Sequence, residues 1–334
     1  MHATIDSPPA RFAALSTADS RQSVDRVGGE GSRPPLSTSW DGAVGSRGLE
    51  HMPAALRTEL DRFALELQLG EGKRARLFRP IRGPRRISLP ERQPRDEATR
   101  VLLSRDGRTG YARALNQVSF EDLVHCHPMR DFARRNGQKN KPVAFYSRTV
   151  GDLVSCESQH ERRFMVLADW HEGVVHIAAQ PFTLQFPTGS TIKSHTPDFV
   201  LIGSSGAIVV VDVKWPSHAL SETTIRRHKL VERTLAEAGM QHVVWTEAPA
   251  ILDQNLANFA AARVPDRFMR ELPAQLLGAY RPGMSVRGVL TAAAERHGVP
   301  ASTGLVVLRR MLWDHQFTID MTLPFTVDSQ LGRS

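Results

Sequence analysis

Thr196-Pro197-Asp198-Phe199-Val200-Leu201-Ile202-Gly203-Ser204-Ser205-Gly206-Ala207-Ile208-Val209-Val210-Val211-Asp212-Val213-Lys214 is two apolar runs joined by a Gly-Ser-Ser-Gly turn. The pattern predicts two adjacent strands of a hairpin. Asp198 opens the first run, and Asp212 and Lys214 close the second. A strand period of two turns Asp212 and Lys214 to one face and Val213 to the other. A pair of carboxylates can hold a hard divalent cation, which favours oxygen ligands and keeps some of its waters. A neighbouring lysine can position or deprotonate an attacking water. A lysine at the end of a buried strand is also an ordinary solvated terminus, so both meanings of Asp212-Val213-Lys214 stay open.

Upstream, Glu157 to Trp170 places Phe164, Leu167 and Ala168 at helical spacing, with Glu161 on the stripe of Phe164 and Ala168. Ser158 and Glu161 have the spacing of a capping box, in which the glutamate bonds the backbone at the helix start. A third carboxylate for a metal site is the other reading of Glu161, and Glu157 is the alternative for that role. Val174 to Ala179 reads as a strand, Pro181 as a break, and Phe182 to Phe186 as an alternating second strand.

Taken in order, Glu157, Ser158, Glu161, Arg162 and Phe164, then Leu167-Ala168-Asp169-Trp170, Gln180-Pro181-Phe182, His195-Thr196-Pro197-Asp198-Phe199-Val200 and Val209-Val210-Val211-Asp212-Val213-Lys214 resemble the TnsA-like endonuclease subunit of heteromeric transposases. Pro-Asp followed by Asp-x-Lys is also the signature of the wider restriction-endonuclease-like nucleases. The likeness runs from about Lys141 to Lys214 and more loosely beyond. It implies a catalytic set of Glu161, Asp198, Asp212 and Lys214, with Mg²⁺ (Mn²⁺ substituting) held by Glu161, Asp198, Asp212 and the Val213 carbonyl. Many members carry Gln or Glu where this chain has Asp212, so aspartate there is an ordinary variant, and the Ser-x-x-Glu register of the family favours Glu161 over Glu157. The resemblance further implies cleavage at the 5′ ends of a transposable element, a DDE-type transposase acting on the 3′ ends, and an ATP-binding transposition regulator. The chain has no GxxxxGK[ST] phosphate loop, which places any ATPase elsewhere. A stand-alone restriction or repair nuclease and a catalytically inactive DNA-binding scaffold are the alternatives.

Composition agrees with a polyanion partner. The 334 residues carry a formal net charge of +8 and an isoelectric point near 10.0, with 41% hydrophobic residues, enough for packed cores. Two cysteines, Cys126 and Cys156, exclude a disulfide framework and fit a reducing cytoplasm, with a nucleoid-associated location expected for a DNA enzyme. His125, His127 and His160 lie near them in sequence, but no CxxC pair supports zinc. No stretch is long and apolar enough for a membrane span, and the N-terminus lacks the apolar segment of a secretory signal.

Residues 1–95 read as a mostly disordered, basic region with a short helix near 52–69, where Leu56, Leu60, Phe63 and Leu67 recur. The run from Lys73 to Arg95 holds nine basic residues, suited to phosphate contact or to a solvated linker. Residues 96–140 form a lead-in, and 141–264 the nuclease domain. Its order of helix, three strands, helix, strand, helix predicts an α/β fold of restriction-endonuclease-like type, a mixed sheet flanked by helices. A basic helix from about Ser221 to Ala238, stopped by Gly239, offers Arg226, Arg227 and Lys229 to the DNA backbone. Residues 265–326 predict a winged-helix-like domain, with helices at 286–294 and 303–313 and a strand at 317–321. Only Arg309 and Arg310 stand out on its second helix, so a protein-docking surface is as good a reading as a base reader. Residues 327–334 form a tail.

Overall fold

A computed structural model describes residues 40, 44, 51–69, 87–91, 98–130, 132 and 141–333. The nine basic residues between Lys73 and Arg95 and nearly all of the first fifty residues lie outside the described set. In chain order the elements are helix α1 (Ala54–Gln68), strands β1 (Arg100–Ser104) and β2 (Gly110–Ala114), α2 (Phe120–Val124), β3 (Val143–Ser147), β4 (Asp152–Cys156) and α3 (Gln159–Trp170). They continue with β5 (Val174–Ala179), β6 (Thr183–Gln185), β7 (Ser194–His195), β8 (Phe199–Gly203), β9 (Ile208–Val213), α4 (Pro216–Ala219), α5 (Glu222–Ala236), β10 (Gln241–Trp245) and α6 (Ala250–Ala260). Last come α7 (Asp266–Ala279), α8 (Val286–His297), α9 (Ala301–Trp313), β11 (Phe317–Thr318) and β12 (Gly332–Arg333). The fold is mixed α/β.

The contacts divide the described chain into two compact units. One draws on residues 1–138, 148–155 and 172–246, the other on 139–147, 156–171 and 247–334. The first unit contains a four-stranded sheet in the order β10-β9-β8-β5. Its two middle strands are nearly all buried, β8 along its whole length and β9 from Val209 to Val213. Strands covered on both faces need continuous apolar runs, and both sequences supply them. β8 and β9 pair antiparallel, with Phe199 opposite Val211 and Ile202 opposite Ile208. The turn between them closes through Gly203 N–H to Ala207 O (2.8 Å) and Gly206 N–H to Gly203 O (2.9 Å), with Gly206 at φ +86°. β9 and β10 are parallel, Asp212 beside Val244. Parallel neighbours require a crossover, and α4 and α5 provide it.

α5 starts at Ser221, whose hydroxyl accepts from the Thr224 N–H, and its buried stripe is His228, Val231, Thr234 and Leu235. Gly239, at φ +71°, turns the chain from this helix toward β10. A second sheet in this unit runs β2-β1-β6-β7, antiparallel throughout. The break predicted at Pro181 is where the chain leaves the first sheet for the second. Gln180 adopts φ +45°, its N–H bonds Asp198 O (2.9 Å) and its carbonyl accepts from Met129 N–H (2.9 Å).

In the second unit, α7, α8 and α9 pack on one another and β11 pairs with β12. α8 ends at Gly298 in the left-handed conformation. The strand expected over 317–321 is confined to Phe317–Thr318, because Asp320 Oδ1 accepts from the Thr322 N–H (2.9 Å) and hydroxyl (2.6 Å) and bends the chain. Cys126 and Cys156 are both buried and not joined in a disulfide. Among the described residues no helix is long and apolar enough to cross a membrane.

The β8–β9 turn yields a direct test. An added Cβ at Gly206 would meet Pro53 Cγ at 2.9 Å and Phe120 Cζ at 3.3 Å, on a backbone that L side chains rarely adopt. Gly206→Ala is expected to lower unfolding stability by about 1–3 kcal/mol, read as a shift of the urea midpoint at unchanged slope.

Candidate functional site

Strand register builds the site. The β8–β9 ladder pairs Phe199 with Val211, and just beyond it Asp198, whose N–H bonds Val211 O (3.1 Å), comes close to Asp212 across Lys214. Like charges so placed repel, and Lys214, two residues on from Asp212, reaches between them. Its Nζ stands 3.0 Å from Asp198 Oδ2 and 3.6 Å from Asp212 Oδ1. It also donates to the Val213 carbonyl at 3.1 Å. Asp198 Oδ2 accepts a second hydrogen bond, from the Val213 N–H at 2.7 Å. Among the described residues Asp198 Oδ1 makes no hydrogen bond, and Asp212 Oδ1 is buried without one.

The carboxylates are deep in the fold, Asp198 7% and Asp212 1% exposed, whereas the Lys214 side chain keeps 31%. Burial pushes the Asp198 carboxyl above its ordinary value of 3.8, and the Asp212 charge adds to the rise that Lys214 opposes. Burial acts upward on Asp212 too. There the charge of His195 and hydrogen bonds from imidazoles outweigh it and hold the carboxyl well below 3.8.

Those imidazoles converge on Asp212 Oδ2. His195, on β7, and His242, on β10, each place Nε2 against it, at 2.8 Å and 2.9 Å. His228, on α5, stands with Nδ1 at 3.4 Å and makes no hydrogen bond there. Burial lowers the His228 pKa, which favours the neutral ring. The His228 and His242 rings stack at 5.3 Å, and His195 meets His228 edge-on at 5.6 Å. One ligand atom from each of the four side chains lies within 4.8 Å of the others, and this buried group could hold a metal ion. A cavity of about 580 Å³ elsewhere in the unit, lined in part by Leu115, Phe186, Arg233 and Glu237, contains none of these side chains.

The other expected residues lie as follows. Glu161, in the second unit, caps its own helix: Oε2 accepts from the Glu157 N–H (2.7 Å), Oε1 from the Ser158 hydroxyl (3.0 Å), and Ser158 Oγ from the Glu161 N–H (3.1 Å). Arg226 and Arg227 are exposed and Lys229 half-buried on α5, beside the inward-turned His228, and Arg226 pairs with Glu222. On α9 the Arg309 guanidinium donates to the Asn258 carbonyl, and Arg310 bonds Asp314 at 2.6 Å.

Sequence reasoning did not assign roles to His195, His228 and His242. Two signals were available. His228 falls on the apolar stripe of α5 with Val231 and Leu235, and His242 shares a strand face with Val244, the neighbour of Asp212. No family model matches the chain, and no curated protein is found to be similar to it.

The two carboxyls should respond oppositely to neutralisation. A carboxyl held above its ordinary value costs stability as pH rises through that value, and Asp198 is of this kind. One held below adds stability that is present above pH 3.8 and is lost as pH falls further, as for Asp212. In chelator-treated protein at pH 7, Asp198→Asn is therefore expected to raise the thermal midpoint. Asp212→Asn is expected to lower it, with a loss of about 3 kcal/mol or more of stability, since the Lys214 ammonium loses a partner and the buried imidazoles lose an acceptor. Scanning calorimetry of both variants checks the signs.

Proposed function

We propose that the chain is a metal-dependent DNA endonuclease, the subunit of a heteromeric transposase that hydrolyses phosphodiester bonds at the 5′ ends of the element. The observation that carries this reading is Lys214 set between Asp198 and Asp212, with Asp198 Oδ1 and Asp212 Oδ1 left without hydrogen-bond donors. Element order supports it: α3 precedes β5, β8 and β9, and α5 and β10 follow, with β6, β7 and the short α4 interposed, in keeping with the helix, three strands, helix and strand of restriction-endonuclease-like nucleases. Three helices followed by a short two-stranded ribbon support the winged-helix-like reading of residues 265–326, with β12 drawn from the expected tail.

The donor set fits Mg²⁺. Asp198 Oδ1, Asp212 Oδ1 and the Val213 carbonyl are all oxygens, the ligand type that hard cations take. Bound Mg²⁺, or Mn²⁺ in its place, supplies the Lewis-acid charge needed at the scissile phosphate. Lys214 orients the attacking water through its ammonium and balances the negative charge that develops on the phosphate. Asp198 and Asp212 fix the ammonium by ion pairing, so it is presented without reorganisation. Hydrolysis leaves a 5′-phosphate and a 3′-hydroxyl. By resemblance Glu161 is the further ligand, and its carboxylate is engaged at its own helix start.

Arg226, Arg227 and Lys229 supply phosphate contacts on the helix that follows the catalytic strand. Arg309 and Arg310 are engaged with protein groups, which favours a docking surface over a base reader for the C-terminal helices. The DDE-type transposase and the ATP-binding regulator are the partners this reading assigns to that surface.

Strand-specific cleavage of end-labelled element DNA with Mg²⁺ or Mn²⁺, with and without the neighbouring transposase, tests the proposal. Cutting of the 5′ strand that needs the partner is expected, lost in Asp212→Ala and slowed about 10²–10³-fold in Lys214→Ala. Partner-independent cutting would instead indicate a stand-alone nuclease, and retained DNA binding without cutting a scaffold. Glu161→Gln separates ligand from cap: lost cleavage at an unchanged thermal midpoint assigns it to the metal. Removing Arg226, Arg227 and Lys229 together should flatten the dependence of log binding constant on log salt by roughly 2–3, at about 0.9 per phosphate contact.

A further inference from the structure

The two oxygens of Asp212 face different chemistry. Oδ1 looks toward Lys214, while Oδ2 is met by three imidazole nitrogens. We infer that His195, His228, His242 and Asp212 Oδ2 form a binding site for a borderline transition-metal dication of the Zn²⁺ class, distinct from the all-oxygen Mg²⁺ site.

The argument starts from valence. A carboxylate oxygen has two lone pairs, and His195 and His242 already occupy them at 2.8 Å and 2.9 Å. His228 Nδ1 is then a third polar atom facing the same oxygen at 3.4 Å, buried and, among the described residues, without a well-formed hydrogen bond. A hydrogen-bond network leaves that nitrogen unexplained, whereas a central cation uses it. Three imidazoles and one carboxylate are a donor set suited to zinc, cobalt, nickel or iron, and poor for magnesium, which prefers oxygen. Tetrahedral zinc with bonds of about 2.0–2.1 Å separates its ligand atoms by about 3.4 Å. The three distances to Oδ2, from 2.8 to 3.4 Å, and the 4.8 Å limit on the whole group bracket that separation. Small rotations of side chains already in place complete the shell.

The ligands come from β7, β9, α5 and β10. An ion there ties the second sheet and the crossover helix to the strand that carries Asp212, and fixes the rotamer that turns Oδ1 toward Lys214. The inference does not rest on the nuclease reading, since a scaffold could keep the same ion.

The test uses the full chain, stripped with chelator and titrated with Zn²⁺ and Co²⁺. Expected are about one equivalent bound tightly, a cobalt d–d spectrum of tetrahedral intensity, and a rise in thermal midpoint on loading. X-ray absorption of the zinc-loaded wild type should show imidazole scattering from about three ligands at roughly 2.0 Å, a readout that needs no variant. His228→Ala and His242→Ala should each weaken zinc binding by at least ~100-fold, more than loss of an outer-shell contact. Asp198→Asn should leave it unchanged, which separates this site from the Mg²⁺ ligands. No stoichiometric binding, absorption spectra without imidazole, or equal affinity in the folded histidine variants would overturn the inference.

Discussion

Everything in the first unit is arranged around the burial of one carboxylate. Asp212 is 1% exposed at the end of an otherwise apolar strand. An isolated charge there would cost several kcal/mol, or the group would titrate and become neutral. The protein keeps it charged by surrounding it, with imidazoles from β7, α5 and β10 on one oxygen and the Lys214 ammonium near the other. Each surrounding group comes from a different element, so the position of Asp212 limits where those elements can lie. Asp198, just before β8, lacks that shell, and burial pushes its carboxyl above the ordinary value. Two aspartates of one motif therefore differ sharply in electrostatic state.

The hairpin from Thr196 to Lys214 was legible because its signals agree. Two apolar runs, a Gly-bounded turn and period-two placement of Asp212 and Lys214 all specify one register, and the strands follow it. The basic helix from Ser221 was legible from its cap and its Gly239 stop. The capping meaning of Ser158 and Glu161 is realised in part: Ser158 Oγ accepts from the Glu161 N–H, while the Glu161 carboxylate takes the Glu157 N–H and the Ser158 hydroxyl rather than the Ser158 N–H.

Other parts were hidden for physical reasons. The convergence of His195, His228 and His242 depends on the parallel pairing of β9 with β10 and on β7 approaching from another sheet. Sequence periodicity carries no information on either. The β1–β2 hairpin had a signal in Asp106-Gly107, where Asp106 Oδ1 accepts from the Arg108 and Thr109 N–H groups and Gly107 takes φ +68°. It was masked by the shortness of its strands. α7 contains Pro273, which removes a backbone donor and normally signals a break; here Pro273, Leu276 and Ala279 instead share its buried stripe.

His195 belongs to β7, in a different sheet from the Asp212 it touches. Peeling the second sheet from the first would strand a deeply buried anion without one of its donors, at a cost comparable to that of a large core cavity. Partial opening is thus disfavoured by about as much as emptying one large core position. The two sheets should exchange their amide protons as one cooperative block, and any motion the protein uses in its work must come from outside that block.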